Sequence, residues 1–262
     1  MSASPSLRIG KLRIDSVTQA EAVDRILELV RDNVGGRVFT PNIDHVVLAE
    51  DDARFADAYS RVTLSLADGF PIVVTSKLTD TPLPEKVSGS DLAMPLLERA
   101  AQAGLRVFLF GGGPGVAELA RDKLLEKLPS LQIVGTASPQ VSLSATKAEL
   151  LELVAPIRES KAELVLVCLG APKQEIFIDL VADELRPAVL LGLGASIDFL
   201  AGTMKRAPRW MSDNGLEWLY RLSRERGRLW KRYILRDSRY PLIVLKQRWA
   251  ERGSRAKAGT SR

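Results

Sequence analysis

Residues 164–174 read LVLVCLGAPKQ, and the fold turns on how that stretch is taken. Residues 164–169 are six apolar side chains with no polar interruption, the length of a strand. A strand without alternation suits burial on both faces, in the middle of a parallel sheet covered by helices above and below. The run stops at Gly170, turns through Ala171-Pro172, and presents Lys173, Gln174 and Glu175 before IFIDLVADEL, a helical pattern. Ligands of open α/β sheets bind outside the carboxyl ends of the strands. The polar trio is therefore placed where chemistry is housed, although an ordinary strand-to-helix loop reads the same way.

The rhythm around this stretch agrees with it. Strands are expected at 105–110, 131–135, 164–169 and 188–193, alternating with helices at 116–127, 146–159 and 176–185. That alternation means right-handed βαβ crossovers and a parallel sheet. Toward the N-terminus, 7–14 reads as two short strands or one strand kinked at Gly10. A helix capped by Ser16 or Thr18 follows. Next come a short strand at Val38-Phe39, one continuous helix IDHVVLAEDDARFADAYSR, a strand at 62–66, helix 70–77, a Pro-rich loop at 79–85 and helix 91–103. The expected fold class is α/β: a Rossmann-like parallel sheet with helices on both faces over residues 1–202, plus a C-terminal basic helical appendage over 203–262. The terminal RGSRAKAGTSR has the composition of a disordered end.

The net charge of +5 hides a split. Residues 203–262 hold 17 Lys+Arg against 5 Asp+Glu, and the preceding 202 hold 20 against 27. All four tryptophans (Trp210, Trp218, Trp230, Trp249) and three of the four tyrosines lie in the basic segment. Basic residues interleaved with aromatics suit a nucleic-acid strand or an anionic membrane surface. The apolar Ile234-Leu235 and the stretch 242–245 favour the membrane and speak against nucleic acid. One cysteine, Cys168, and one histidine, His45, cannot build a zinc site, and Cys168 in a buried strand reads as packing in a reducing compartment. The N-terminus lacks the apolar core of a secretory signal, and no window is long and apolar enough to span a bilayer.

Candidate ligand residues fall at strand ends. Gly111-Gly112-Gly113-Pro114-Gly115 lies between a strand and a helix, where backbone amides and the helix N-terminus can hold a diphosphate, or where a tight turn is all that is needed. It fails as a dinucleotide fingerprint, because Val116 stands at the third small position and no acid closes the next strand. A nicotinamide cofactor is thereby disfavoured, and no cofactor is expected. Gly194 and Asp198 mark a second such end, with Asp198 able to accept ribose hydroxyls or simply to complement the start of a helix. Asp68, before Gly69, reads as a turn residue or as a general base toward a hydroxyl. Thr40 and Asn42 flank Pro41 and suit a neutral polyol, or, for Asn42, a helix cap. His45 reads as structural.

Taken together, TPNIDHVV, LADGFPIV, VSGSDL, FLFGGGPGVAE, LGAPKQE, GLGASIDFLAG, RAPRWM and GLEWLYRL with RLWKRY resemble the WecG/TagA/CpsF glycosyltransferase family (glycosyltransferase family 26), from about residue 7 to about 236. The resemblance implies an inverting transfer, without an essential metal, of a hexose or N-acetylhexosamine from a UDP-sugar to a polyprenyl-diphosphate-linked sugar. It implies cell-wall, capsule or exopolysaccharide synthesis at the cytoplasmic face of the cell membrane, by a peripheral protein. Asp68 would be the base. Thr40, Asn42 and Gln174 would line the sugar pocket, Asp198 would contact the uridine, and Arg221 and Arg228 would close over the diphosphate. Lys86 stands where the family usually has arginine, keeping the charge but not the bidentate fork. Glu225-Arg226 stands where it usually has Glu-Pro. The chain has no Asp-x-Asp pair to clamp a metal on a nucleotide diphosphate. A homo-oligomer with a contact at the appendage is an open reading, and the alternative function is a non-enzymatic nucleotide or nucleic-acid binder.

Overall fold

The computed structural model describes residues 5–208, 210–211, 216–224 and 236–259; within these, the side chains of Glu217, Arg221, Arg224 and 251–259 are left aside. Strands β1 (Ser6–Ile9) and β2 (Leu12–Asp15) form an antiparallel hairpin across Gly10-Lys11. The main sheet has six strands, β3 (Gly36–Phe39), β4 (Leu64–Ser65), β5 (Arg106–Gly111), β6 (Gln132–Ala137), β7 (Leu164–Cys168) and β8 (Val189–Gly192). Their order is β4-β3-β8-β7-β5-β6, and every pairing is parallel.

β7 sits between β5 and β8, and alternate side chains go to opposite faces. Val165 and Val167 join one core with Phe39, Phe110 and Leu190, and Leu164, Leu166 and Cys168 join the other with Val38, Leu109 and Leu191. The first core is covered by α2 (Ile43–Asp51), α3 (Ala53–Ser60), α4 (Phe70–Ser76) and α9 (Lys173–Val181), with α7 (Lys147–Leu153) and α8 (Ala155–Ser160) alongside. The second is covered by α1 (Gln19–Arg31), α5 (Gly89–Gln102), α6 (Val116–Lys127) and α10 (Ser196–Ala201). This is the Rossmann-like arrangement, a parallel sheet with helices on both faces.

Local chemistry sets the element ends. Thr18 caps α1, with Glu21 returning a bond to the Thr18 amide. The helix expected to run unbroken from Ile43 is two helices. Asp52 leaves helical geometry, and its carboxylate accepts from the amides of Arg54 (2.9 Å) and Phe55 (3.3 Å), starting α3. The helix expected at 146–159 also divides, at Val154, because Pro156 lacks the N–H needed to continue the ladder.

Beyond α10, α11 (Glu217–Arg224) carries an amphipathic sequence, and α12 (Tyr240–Gly259) returns to the body. Gln247 bridges the hairpin, accepting from Gly10 N–H and donating to Arg8 O, both at 2.8 Å. Arg239 meets Asp51, and Arg236 meets Asp44, at 2.5 Å each. α12 runs to Gly259, and residues 260–262 lie outside the described residues.

Candidate active site

One cleft of about 980 Å³ opens at the carboxyl edge of the sheet. Every strand of the sheet ends there: Thr40 and Asn42 follow β3, Asp68 follows β4, Gly112 and Gly113 follow β5, Gln140 follows β6, Gln174 follows β7, and Gly194 follows β8. Lys86 and Asp198 also line it. Nine of the twelve residues singled out from sequence are thus brought together.

Pairing beyond the regular strands sets Asp68. Leu66 N–H donates to Phe39 O and Asp68 N–H donates to Pro41 O, both at 2.8 Å, so the chain after β4 stays in register with the chain after β3. Gly69 then turns sharply into α4 at φ +122°, a conformation side chains with a Cβ rarely adopt. Behind Asp68 lies Tyr59. Burial, then the negative charges of Glu175 and Asp68, push its hydroxyl well above the ordinary tyrosine range.

Thr40 and Asn42 serve the scaffold while facing the cleft. Thr40 Oγ1 donates to Gly192 O at 3.1 Å, joining the ends of β3 and β8. Asn42 Oδ1 accepts from Asp44 N–H at 3.0 Å and caps α2, while the residue also lines the cleft. His45 Nδ1 lies 3.1 Å from Asn42 N and 2.9 Å from Asn42 Oδ1, and its Nε2 faces Glu175 Oε1 at 3.2 Å.

The trio that opened the sequence reading divides. Glu175 is expected at the surface of the site, but α9 begins at Lys173 and turns Glu175 wholly inward. Its Oε1 accepts from Gln174 Nε2 at 2.8 Å, while Gln174 Oε1 accepts from Gly194 N–H at 2.9 Å. Gln174 therefore clamps the loop after β8 to the loop after β7. No atom lies within 4 Å of where a Cβ would stand on Gly170 or Gly194, so both loops are open there.

Lys86 lines the same cleft. Lys86 Nζ lies 3.0 Å from Asp91 Oδ2. Arg206 reaches the other carboxylate oxygen and also donates to Ser90 Oγ at 3.1 Å. Burial pushes Asp91 up, but the Ser88 hydroxyl, Arg206 and Lys86 outweigh it and hold the carboxyl at about 2. Two cations are thus gathered at the start of α5. Arg206 received no role from sequence; its signal is the RAPRWM stretch, whose partner Asp91 is distant in the chain.

Gly111, expected as a phosphate contact, is not among the residues that line the cleft. At φ +110° it lies against the backbone of Cys168, where a Cβ would collide with the carbonyl, so it serves strand packing. Gly112 and Gly113 do face the cleft. Asp198 sits in the first turn of α10, where Thr203 Oγ1 donates to its backbone carbonyl at 3.1 Å. Arg221 lies on α11 with its side chain among those left aside, and Arg228 lies outside the described residues. Sequence reasoning missed Trp218, Arg236, Asp237 and Pro241, which bring the C-terminal segment to the cleft wall. It also missed that Cys168, whose thiol burial pushes up to about 12, borders the cleft. Among the described residues no three His, Cys, Asp or Glu side chains converge as a metal site would require.

The fold and cleft define an α/β protein whose strand ends open into one cleft, lined by Asp68 and Lys86 among others. The chain matches the model of the Glycosyl transferase WecG/TagA/CpsF family over residues 7–254. Two curated relatives are each 33% identical to it over 214 residues, covering 82% of this chain and 80% of theirs. They are the N-acetylglucosaminyldiphosphoundecaprenol N-acetyl-beta-D-mannosaminyltransferases of Bacillus subtilis (strain 168) and Bacillus spizizenii (strain ATCC 23059 / NRRL B-14472 / W23). The chain belongs to the WecG/TagA/CpsF family and is a glycosyltransferase of cell-surface polysaccharide synthesis.

Proposed function

We propose that this enzyme moves an N-acetylhexosamine, or a hexose, from a UDP-sugar to a sugar carried on a polyprenyl diphosphate, with inversion and without a metal ion. The observation that carries the reading is the cleft itself, lined at the carboxyl edge of the sheet by both Asp68 and Lys86, with Lys86 paired to Asp91, which Arg206 also meets. The relatives' names supply the nearest chemistry, a β-mannosaminyl group delivered to N-acetylglucosaminyl-diphosphoundecaprenol.

In this reading Asp68 takes the proton from the acceptor hydroxyl as its oxygen attacks the anomeric carbon. The logic is that of inverting glycosidases, where one carboxylate activates the nucleophile on the face opposite the leaving group. UDP departs toward the amides of Gly112, Gly113 and Gly194, the uridine is held by Asp198, and Lys86, Arg221 and Arg228 take up the developing diphosphate charge. Thr40, Asn42 and Gln174 shape the sugar pocket. Cations and amides in this role leave no step that needs a metal.

Residues 203–262 act as a membrane-associating appendage on the inner face of the cell membrane. Support comes from their charge and from exposed Trp210, Trp218, Leu219 and Trp249. No described helix is long and apolar enough to cross a membrane.

The test is a thermal-shift panel of UDP, UDP-N-acetylmannosamine, UDP-N-acetylglucosamine, UDP-glucose, GDP-mannose and NAD. A ligand that binds the folded state raises Tm by mass action. Stabilisation by UDP and one UDP-sugar is expected; stabilisation by NAD alone, or by no nucleotide, would contradict the donor assignment.

A further inference from the structure

An apolar strip leaves the cleft beside Asp68 and has no part in the chemistry above. On and just after α4, Phe70, Val74 and Leu78 are 46%, 41% and 55% exposed, while Ile72 and Ser76 on the inner side are buried. Spacing of four residues keeps side chains on one face of a helix. The strip starts inside the cleft, because Phe70 and Pro71 line its wall, two and three residues after Asp68. Its neighbour is α12, joined to α4 by Tyr240 Oη donating to Thr75 Oγ1 at 2.8 Å. Pro241 lines the same cleft, and beyond it Leu242, Leu245 and Trp249 stand exposed at spacings of three and four. Exposed Lys77 and Lys246 flank the two strips.

We propose that the face formed by Phe70, Val74 and Leu78 carries the hydrocarbon chain of the lipid-linked acceptor out of the cleft. This rests on the transferase reading above. An acceptor whose hydroxyl reaches Asp68 keeps its sugar and diphosphate in the polar cleft, and its chain begins at the rim. There it meets water or apolar protein, and burial of apolar surface is favoured in proportion to the area removed from water. The strip that begins at Phe70 on the cleft wall leads to the outer surface, and Lys77 flanks its outer end, beside Leu78. Contiguous exposed apolar surface of this kind marks a lipid or partner contact rather than ordinary surface.

The test uses the full-length enzyme and a Val74→Asp/Leu78→Asp double variant, with Val74→Ser/Leu78→Ser as a milder second form. Both side chains are exposed and neither lines the cleft, so urea unfolding should match wild type. Two acceptors are compared: N-acetylglucosaminyl-diphosphoundecaprenol in phosphatidylethanolamine–phosphatidylglycerol vesicles, and the same sugar diphosphate on a short, water-soluble alkyl chain. The expected result is a KM for the long-chain acceptor raised about tenfold or more, the order set by losing a buried aliphatic side chain. The short-chain reaction should be unchanged.

Equal loss with both acceptors, or with neither, overturns the proposal. So does a matching loss of cosedimentation with acceptor-free vesicles, which would assign the strip to the bilayer. A changed mass in sedimentation velocity would assign it to a second copy of the chain. Wild type that transfers to neither acceptor from any UDP-sugar overturns the transferase reading, and the proposal with it; an active wild type matched by its variants overturns the proposal alone.

Discussion

Asp68 holds its place through backbone rungs that outlast the two-residue β4, and Gly69 frees the chain to leave immediately afterwards. A base held this way can lose its charge without moving. Asp68→Asn should therefore keep UDP affinity, by calorimetry, while turnover falls roughly 10²- to 10⁴-fold, the span a general base contributes. Retention of most activity would remove Asp68 from the role. Asp91 offers a pH signature. Its carboxyl is held at about 2, below its unfolded value near 4. A depressed carboxyl contributes stability that is complete above the unfolded pKa and lost as pH falls toward the folded one. Asp91→Asn should thus melt below wild type at pH 7, with the gap closing between about pH 5 and pH 2. A gap independent of pH would show that the ion pairs with Lys86 and Arg206 contribute nothing to it.

At the scale of elements, the end of β5 is as demanding as the site. Gly111 combines a left-handed φ with contact against the Cys168 backbone. Gly111→Ala should lower stability by at least the 1–3 kcal/mol typical of a strained backbone residue, read from urea unfolding, and shift β5 against β7; a neutral change would deny the close approach. Much at this scale was legible beforehand. The unbroken run in β7 announces burial on both faces, and the glycine-bearing strand ends announce the cleft. What was not legible follows from long-range partners. Nothing local tells that Asp52 turns from helix interior to cap, or that Glu175 turns inward to meet His45, 130 residues away in sequence. Gly111 and Gly112 are adjacent and chemically identical, and only the proximity of β7 separates the packing glycine from those that face the cleft. Arg206 and Asp91 find each other across 115 residues.

Over the whole molecule, the charge split maps onto two tasks, an acidic body that builds the cleft and a basic, aromatic C-terminal segment that returns to its rim. Arg236, Arg239 and Gln247 tie that segment to α2 and the first hairpin, so the proposed membrane contact would share residues with the wall of the cleft. If charge draws the enzyme to anionic lipid, cosedimentation of the full chain with phosphatidylglycerol vesicles should fall steeply with salt. The screening length shrinks from about 10 Å at 0.1 M to about 3 Å at 1 M. Salt-insensitive binding would give the aromatics and not the cations the leading part. The most direct measurement supplies the enzyme with the UDP-sugar that raises its Tm and a polyprenyl-diphosphate-linked sugar in the presence of EDTA, and identifies the lipid-linked product by mass spectrometry and NMR. The account predicts a disaccharide lipid with a β linkage, formed at an undiminished rate under chelation. An α linkage, or a strict need for added divalent metal, would contradict it.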